Sequence, residues 1–322
     1  MVLKRYRLVK AMSRGNVELL IVTIIWAINS IAVKDALGEF LPLQFNVVRL
    51  GLSTIVLFLV MQLSGGIRWP SRKDWPRVLM AGFLGNTFYQ YMFIKGISMS
   101  TASNTSFVLA TMPATTAALS HFLGKQKLSA RMWFGVFLTL IGAGLIITGG
   151  AASGSAGSLS KSVFSNGTSL GDLITLTGTA GWCVYTIMSL DLMKTLDPIG
   201  ATAWTMFAGV VFLIPLSLAE LGTGNWSHIS FKAWSEMVFS AVFAIALSYI
   251  IWNRGVKDSG PARTAIFQNL TPIWTGVFGW LLLHETWNLT RFAGAAVILT
   301  GVSLVRFGAG APEVRLATAG KR

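Results

Sequence analysis

Residues 105–116, TSFVLATMPATT, return 159 positions later at 264–275 as TAIFQNLTPIWT, setting Thr105 against Thr264, Pro113 against Pro272 and Thr116 against Thr275. Outward from there the same offset pairs Gly96 with Gly255, Leu123 with Leu282, Gly135 with Gly294 and Gly142 with Gly301, without a gap. Upstream, an offset of 156 pairs Trp26 with Trp182 and Ser30 with Thr186. The chain is an internal duplication. Between the copies, Gly149 to Ser169 is rich in Gly and Ser and reads as a flexible linker.

Both copies consist of apolar runs. Of 322 residues, 53% are hydrophobic and 12% charged, and the mean hydropathy is +0.63. A soluble chain of this length would need more polar surface, a need that a bilayer removes. A crossing helix takes roughly 20 apolar residues, and ten runs qualify, at about 17–34, 42–62, 78–97, 101–123, 132–149, 171–193, 199–219, 233–253, 262–283 and 289–307. Helices satisfy their own backbone groups in lipid, and the alternation of a lipid-facing barrel strand is missing. Five crossings per copy is an odd number, so the second copy must enter the membrane from the opposite side. The expected fold is all-α and integral to the membrane: ten transmembrane helices in two inverted five-helix repeats, about residues 17–149 and 171–307, with an external linker over about 150–170. A duplication without mechanistic consequence is the competing explanation.

The net charge is +14, from 26 Lys and Arg against 12 Asp and Glu. The bases sit in short segments between apolar runs, which suits membrane topology and anionic lipid rather than nucleic acid. If both termini are cytoplasmic, twenty bases fall inside, among them Lys4, Arg5, Arg7, Lys10, Arg14, Arg68, Arg72, Lys73, Arg77, Lys125, Lys127, Arg131, Lys194, Arg254, Lys257, Arg263, Arg306, Arg315, Lys321 and Arg322. Five fall outside: Lys34, Lys95, Lys161, Lys232 and Arg291. That asymmetry is the positive-inside bias. The basic N-terminus resembles a secretory signal, but no small-residue cleavage site follows Trp26, so the run reads as a retained first span. Cys183 is the single cysteine, so no intrachain disulfide forms.

Polar residues within a span face protein or water, and their helical phase marks an interior. Trp26, Asn29 and Ser30 share one face of the first span, and Trp182, Tyr185 and Thr186 repeat the spacing in the sixth. The third span offers Asn86, Tyr89, Gln90 and Phe93; its mate, the eighth, offers Ser248, Tyr249, Trp252 and Asn253. The fourth adds Asn104, Thr111 and Met112, the ninth Gln268 and Thr271. These six spans form three repeat pairs and are expected to line a neutral, aromatic-walled substrate cavity. Taken singly, a Trp or Tyr also reads as an interfacial anchor, and Asn, Ser or Thr as glue between helices. Pro113 and Pro272, at equivalent depths, are candidate hinges or fixed bends. Gly135, Gly142, Gly294 and Gly301 permit close helix packing, within the bundle or between protomers.

No Asp or Glu lies mid-span, so a carboxylate proton relay has no carrier; Asp172, Glu236 and Glu18 lie near ends. Arg49, inside the second span beside Gln44 and Asn46, reads first as a satisfied structural charge, with a functional role as the alternative. His121, His228 and His284 are scattered without metal-ligand spacing, and GSAGSLSKS at 154–162 lacks the Gly before Lys of a phosphate loop. No metal, cofactor, catalytic residue or nucleic-acid partner is expected.

The Trp-bearing first span (IIWAINSIAVK), the Arg of the second (FNVVRLGLS), the Pro of the fourth (LATMPATTAAL), LTPIWTGVFGWLLLHE and RFAGAAVILTGVSLV occur in the order found in one group of transporters. In these features the chain resembles the drug/metabolite transporter superfamily, in particular its ten-helix EamA-type exporters. The resemblance implies an inner-membrane, multi-pass secondary transporter that exports amino acids, aromatic and other neutral ones, by alternating access around spans 1, 3, 4, 6, 8 and 9. A monomer is compatible with it. Gln126 stands where the second copy has Glu285, a departure from the usual acidic residue. Export of other metabolites or organic-cation drugs is the alternative, and a passive channel or membrane enzyme the alternative of another class.

Overall fold

The computed structural model describes residues 14–122, 127–151, 167–259, 267–285 and 287–308, and contains no strand among them. In the first copy, α1 (Arg14–Ala36) and α2 (Pro42–Leu63) lead into α3, where Trp75–Gly82 and Tyr89–Met99 flank a π-helical stretch, Phe83–Phe88. Helix α4 is broken into Ala102–Leu109 and Met112–Phe122, and α5 runs Ala130–Ala151. The second copy has α6 (Gly167–Leu192), α7 (Pro198–Thr223), α8 (Phe231–Phe239 and Ser248–Ser259 around a π stretch, Ser240–Leu247), α9 (Thr271–Leu283) and α10 (Leu289–Gly308). Six stretches among the described residues, in α1, α2, α5, α6, α7 and α8, are long and apolar enough to cross a membrane; α9 and α10 are apolar but shorter. The expectations for Lys4, Arg5, Arg7, Lys10, Leu123, Lys125, Gln126, Lys161, Arg263, Thr264, Arg315, Lys321, Arg322 and most of the linker lie outside the described residues.

Helix starts follow local chemistry. Proline occupies the first turn of α2 and α7, where no N–H partner is lost. Thr101 Oγ1 accepts from Asn104 N (3.1 Å), Asp197 Oδ1 from Gly200 N (3.3 Å), Ser230 Oγ from Ala233 N (3.2 Å) and Asn288 Oδ1 from Arg291 N (2.9 Å).

The two copies interlock. Helix α3 packs on α6 and α7, and its mate α8 packs on α1 and α2. At one end of the bundle, carboxylates of one copy cap helices of the other. Glu220 at the end of α7 accepts from Leu43 N (2.5 Å) at the start of α2 and from Lys95 Nζ (2.5 Å) at the end of α3. Glu285 after α9 accepts from Ala102 N (2.7 Å) and Ser103 N (3.1 Å) at the start of α4, and Glu39 after α1 accepts from Ser230 N (2.5 Å) before α8. Lys34 donates to Ile97 O (3.0 Å), Lys232 pairs with Asp35, and Asp172 near the start of α6 accepts from Ser100 Oγ and Asn104 Nδ2. Helices α1, α3, α7 and α9 therefore finish at this end, where α2, α4, α6 and α8 begin, and α1 runs opposite to its mate α6.

Helices α5 and α10 show the same relation at closest range. A Cβ on Gly135 would lie 2.6 Å from Gly301 O, and one on Gly142 would lie 2.8 Å from Gly294 O. Since Gly135 corresponds to Gly294 and Gly142 to Gly301, the contact maps onto itself when the copies are exchanged, which requires antiparallel mates. Lipid supplies no hydrophobic force between helices, so such backbone-to-backbone approach is a main source of attraction.

Gly142→Ala is expected to cost about 1–3 kcal/mol through overpacking, read as a lower unfolding midpoint of the purified protein. Gly144→Ala, whose Cβ would meet nothing within 4 Å, is the control and should not lower it.

Candidate functional site

Where the two copies cross, the bundle encloses a cavity of about 80 Å³. Helix α1 contributes Trp26, Asn29 and Ser30; α3 contributes Tyr89, Gln90 and Phe93; the two pieces of α4 contribute Ser106, Leu109 and Met112, with Ala110 between them. Trp182 comes from α6, Ala244, Ile245 and Tyr249 from α8, Gln268, Thr271 and Pro272 from the start of α9, and Arg49 from α2. A larger hollow of about 830 Å³ shares Pro272, but exposed Ile273, Val277, Trp280 and Phe292 line it on the outside of the bundle. The enclosed cavity is the candidate.

Its walls are placed by departures from α-helical geometry. The π stretches of α3 and α8 end immediately before Tyr89 and Ser248, which are repeat mates. A π turn leaves carbonyls without their usual donors, and such turns concentrate at functional sites. Two side chains also bond to carbonyls of the second stretch: Trp26 Nε1 donates to Ala244 O (2.9 Å), and Ser248 Oγ donates to Phe243 O (2.8 Å), which accepts from Ser248 N as well. Two residues after each π stretch stand Gln90 and Tyr249, again repeat mates, and Gln90 Nε2 donates to Tyr249 Oη (3.1 Å). That bond joins equivalent positions of the two copies. Tyr249 meets the rings of Trp182 (5.3 Å) and Trp26 (6.5 Å), and Tyr89 packs on Trp182 (5.0 Å).

Eleven of the nineteen residues expected at the cavity line it: Trp26, Asn29, Ser30, Tyr89, Gln90, Phe93, Met112, Trp182, Tyr249, Gln268 and Thr271. The other eight lie outside its lining. Asn86 abuts Gly209 of α7, and Thr111 Oγ1 donates to Val108 O (2.7 Å) at the break in α4. Thr186 Oγ1 bonds Trp182 O (2.9 Å), Trp252 packs on Trp26 (5.1 Å), and Asn253 Nδ2 reaches Thr202 Oγ1 (2.6 Å) on α7. Ser248 closes its π turn, as above. Tyr185 shows why the copies differ. Its ring fills the dent left by Gly85, where a Cβ would lie 2.4 Å from Tyr185 Cγ. The mates of that pair, Ala244 and Asn29, both line the cavity. Asn104, also expected here, is held by Asp172 instead.

The prolines sit differently from simple kinks. The chain turns at Ala110–Thr111 and at Asn269–Leu270, and Pro113 and Pro272 follow within the first turn of the next helical piece. Lacking an N–H, they cannot serve the carbonyls four residues earlier, those of Leu109 and Gln268, two mates that both line the cavity.

Arg49, whose sequence reading favours a structural charge over a functional one, lines the cavity and is 1% exposed. Its Nη2 donates to Asn46 Oδ1 (2.7 Å) and Gln90 Oε1 (2.8 Å), its Nη1 to Ser240 Oγ (3.2 Å). Gln44 is not among these partners; its Oε1 accepts from Leu41 N (3.1 Å) at the start of α2. The charge buried in an apolar span was the signal that could have found Arg49. Leu109, Ala110, Ala244 and Ile245 carry no such signal.

A central cavity with aromatic and polar walls, at the crossing of two interlocked helical repeats, suits a membrane transporter. The chain belongs to the EamA-like transporter family, whose model matches residues 13–148 and again 169–307, and so to the drug/metabolite transporter superfamily. It is 27% identical over 270 residues to the uncharacterized transporter YyaM of Bacillus subtilis, spanning 84% of this chain and 86% of that one. It is also 27% identical over 300 residues to a chloroplastic WAT1-related protein of Arabidopsis thaliana, spanning 88% and 67%. One solved crystal structure shares the fold, with a TM-score of 0.65 and 15% identity, over 93% of this chain and 98% of the other.

Trp26→Phe keeps the aromatic wall but leaves Ala244 O without its indole donor. A loss of about 1–3 kcal/mol in unfolding stability is expected, measured by denaturation of the purified protein.

Proposed function

We propose that the protein exports neutral amino acids, aromatic ones included, by alternating access across the inner membrane. Ten crossings arranged as inverted repeats, about residues 17–149 and 171–307, with an external linker over about 150–170 and both termini cytoplasmic, provide the frame. The observation that carries the reading is the cavity where repeat mates meet. Trp26, Trp182, Tyr89 and Tyr249 form an aromatic wall, while buried Asn29 Oδ1 and Arg49 Nε have no hydrogen-bond partner. A molecule with an apolar body and both donor and acceptor groups satisfies that set. An organic cation would meet Arg49, which speaks against a cationic drug. Small-molecule pockets usually span about 300–1,000 Å³, so the enclosed volume suits a contracted state that must widen to load. The helix breaks before Pro113 and Pro272 are the hinges for that motion, since chain turns absorb rotation that an intact helix resists.

Trp26→Ala and Trp182→Ala are each expected to lower saturable amino-acid efflux from proteoliposomes at least tenfold while membrane insertion stays near normal. Unchanged rates in both variants would remove the substrate from this cavity. For topology, a cysteine at Lys232 in a Cys183→Ser background should react with an impermeant thiol reagent from outside the cell, and one at Lys73 should not. The reverse pattern would invert the orientation.

A further inference from the structure

Among the other cations of the bundle, half-buried Lys95 pairs with Glu220, and half-buried Lys34 is met by the carbonyls of Ile97 and Ser98. Arg49 is buried more deeply than either, yet no carboxylate among the described residues pairs with it. Its hydrogen-bond partners, the side chains of Asn46, Gln90 and Ser240, are neutral, and the rings flanking the guanidinium carbon are Phe45 (5.4 Å) and Phe93 (5.8 Å). Five N–H donors are available on a guanidinium, three are used, and Nε is buried without an acceptor. Burying a cation without its counter-charge is strongly unfavourable, and a merely structural arginine would be expected to bring an acid with it.

The unpaired guanidinium lines the central cavity, beside the aromatic wall. Asn46 and Gln90 hold Nη2 from two helices, and Gln90 also donates to Tyr249 Oη. The charge is therefore fixed in place and coupled through one amide to the aromatic wall. We infer that Arg49 receives the carboxylate of the bound molecule, so the cavity selects small monocarboxylates with an apolar or aromatic body, and the amino group is secondary. A guanidinium suits a carboxylate because its planar donors match the two oxygens and its charge persists at any physiological pH. Calling that bound molecule the cargo rests on the transport reading; the binding preference does not.

The test uses the full chain purified in detergent, with ligand binding read as a shift of the unfolding midpoint. The probes are L-phenylalanine, phenylacetate, L-phenylalaninamide and phenylacetamide, with sodium chloride as a separate arm. Both acids should bind roughly 10- to 100-fold more tightly than their amides, the range expected for a hydrogen bond to a charged group. Arg49→Lys should keep a weakened preference for acids, and Arg49→Met should bind acids and amides alike. The acid–amide comparison needs no variant, so a misfolded Arg49→Met leaves it decisive. Equal binding of acids and amides by the unaltered protein, chloride acting as strongly as the carboxylates, or no shift with any probe would each overturn the inference. Efflux of L-phenylalanine from proteoliposomes separates the two readings. Acid-selective binding without flux sinks transport of amino acids and leaves the carboxylate receptor standing; flux with no acid preference does the opposite.

Discussion

Hydrocarbon offers a peptide group nothing to bond with, so a chain that lives there must satisfy every N–H and C=O from within. The α-helix does this automatically, and any departure from it has to be repaired by neighbouring protein. In this molecule several of the departures gather around one place. The π stretches of α3 and α8, the break in α4 and the turn before α9 all adjoin the central cavity. Trp26, Ser248 and Thr111 side chains donate to carbonyls there. The constraint that makes the fold helical thus also locates its functional centre, because only a protein-lined interior tolerates irregular backbone.

The two copies depend on each other for the same reason. Between lipid-bathed helices no hydrophobic driving force remains, and association falls to close packing and hydrogen bonds. Gly135, Gly142, Gly294 and Gly301 bring α5 and α10 to backbone contact, and α3 and α8 are each embedded in the opposite copy. Glu220, Glu285 and Glu39 then cap helices of the other copy at one end of the bundle. The mate of Glu285 is the neutral Gln126, so the sequence itself makes the two ends unequal. Opposite ends of an antiparallel duplication need not open with equal ease.

Half-legibility of the cavity has a specific cause. Helical phase correctly grouped Trp26, Asn29 and Ser30 on one face of α1 and placed all three at the cavity. The same spacing in α6 brought only Trp182 there. Phase says which side of a helix a residue occupies, and nothing about the neighbour it meets. Gly85 on α3 gives Tyr185 a dent to fill, whereas the mates of that pair, Ala244 and Asn29, both line the cavity. Arg49 illustrates the complementary error. Proximity in sequence suggested that Gln44 and Asn46 would satisfy it, but Gln44 turns to Leu41 N, while Gln90 and Ser240 approach from α3 and α8.

From composition and the repeat at offsets 159 and 156 alone follow the membrane setting, the duplication and the pairing of equivalent helices, and the order of the sequence motifs points to the family. Those properties depend on how apolar each segment is and on which residues recur, and both can be read one position at a time. Tertiary structure decided the rest: that Gln90 and Tyr249 bond across the copies, that the helices turn ahead of Pro113 and Pro272, and that a guanidinium faces the cavity without an acid. Each of these depends on the distance between groups on different helices, which one-dimensional spacing does not contain.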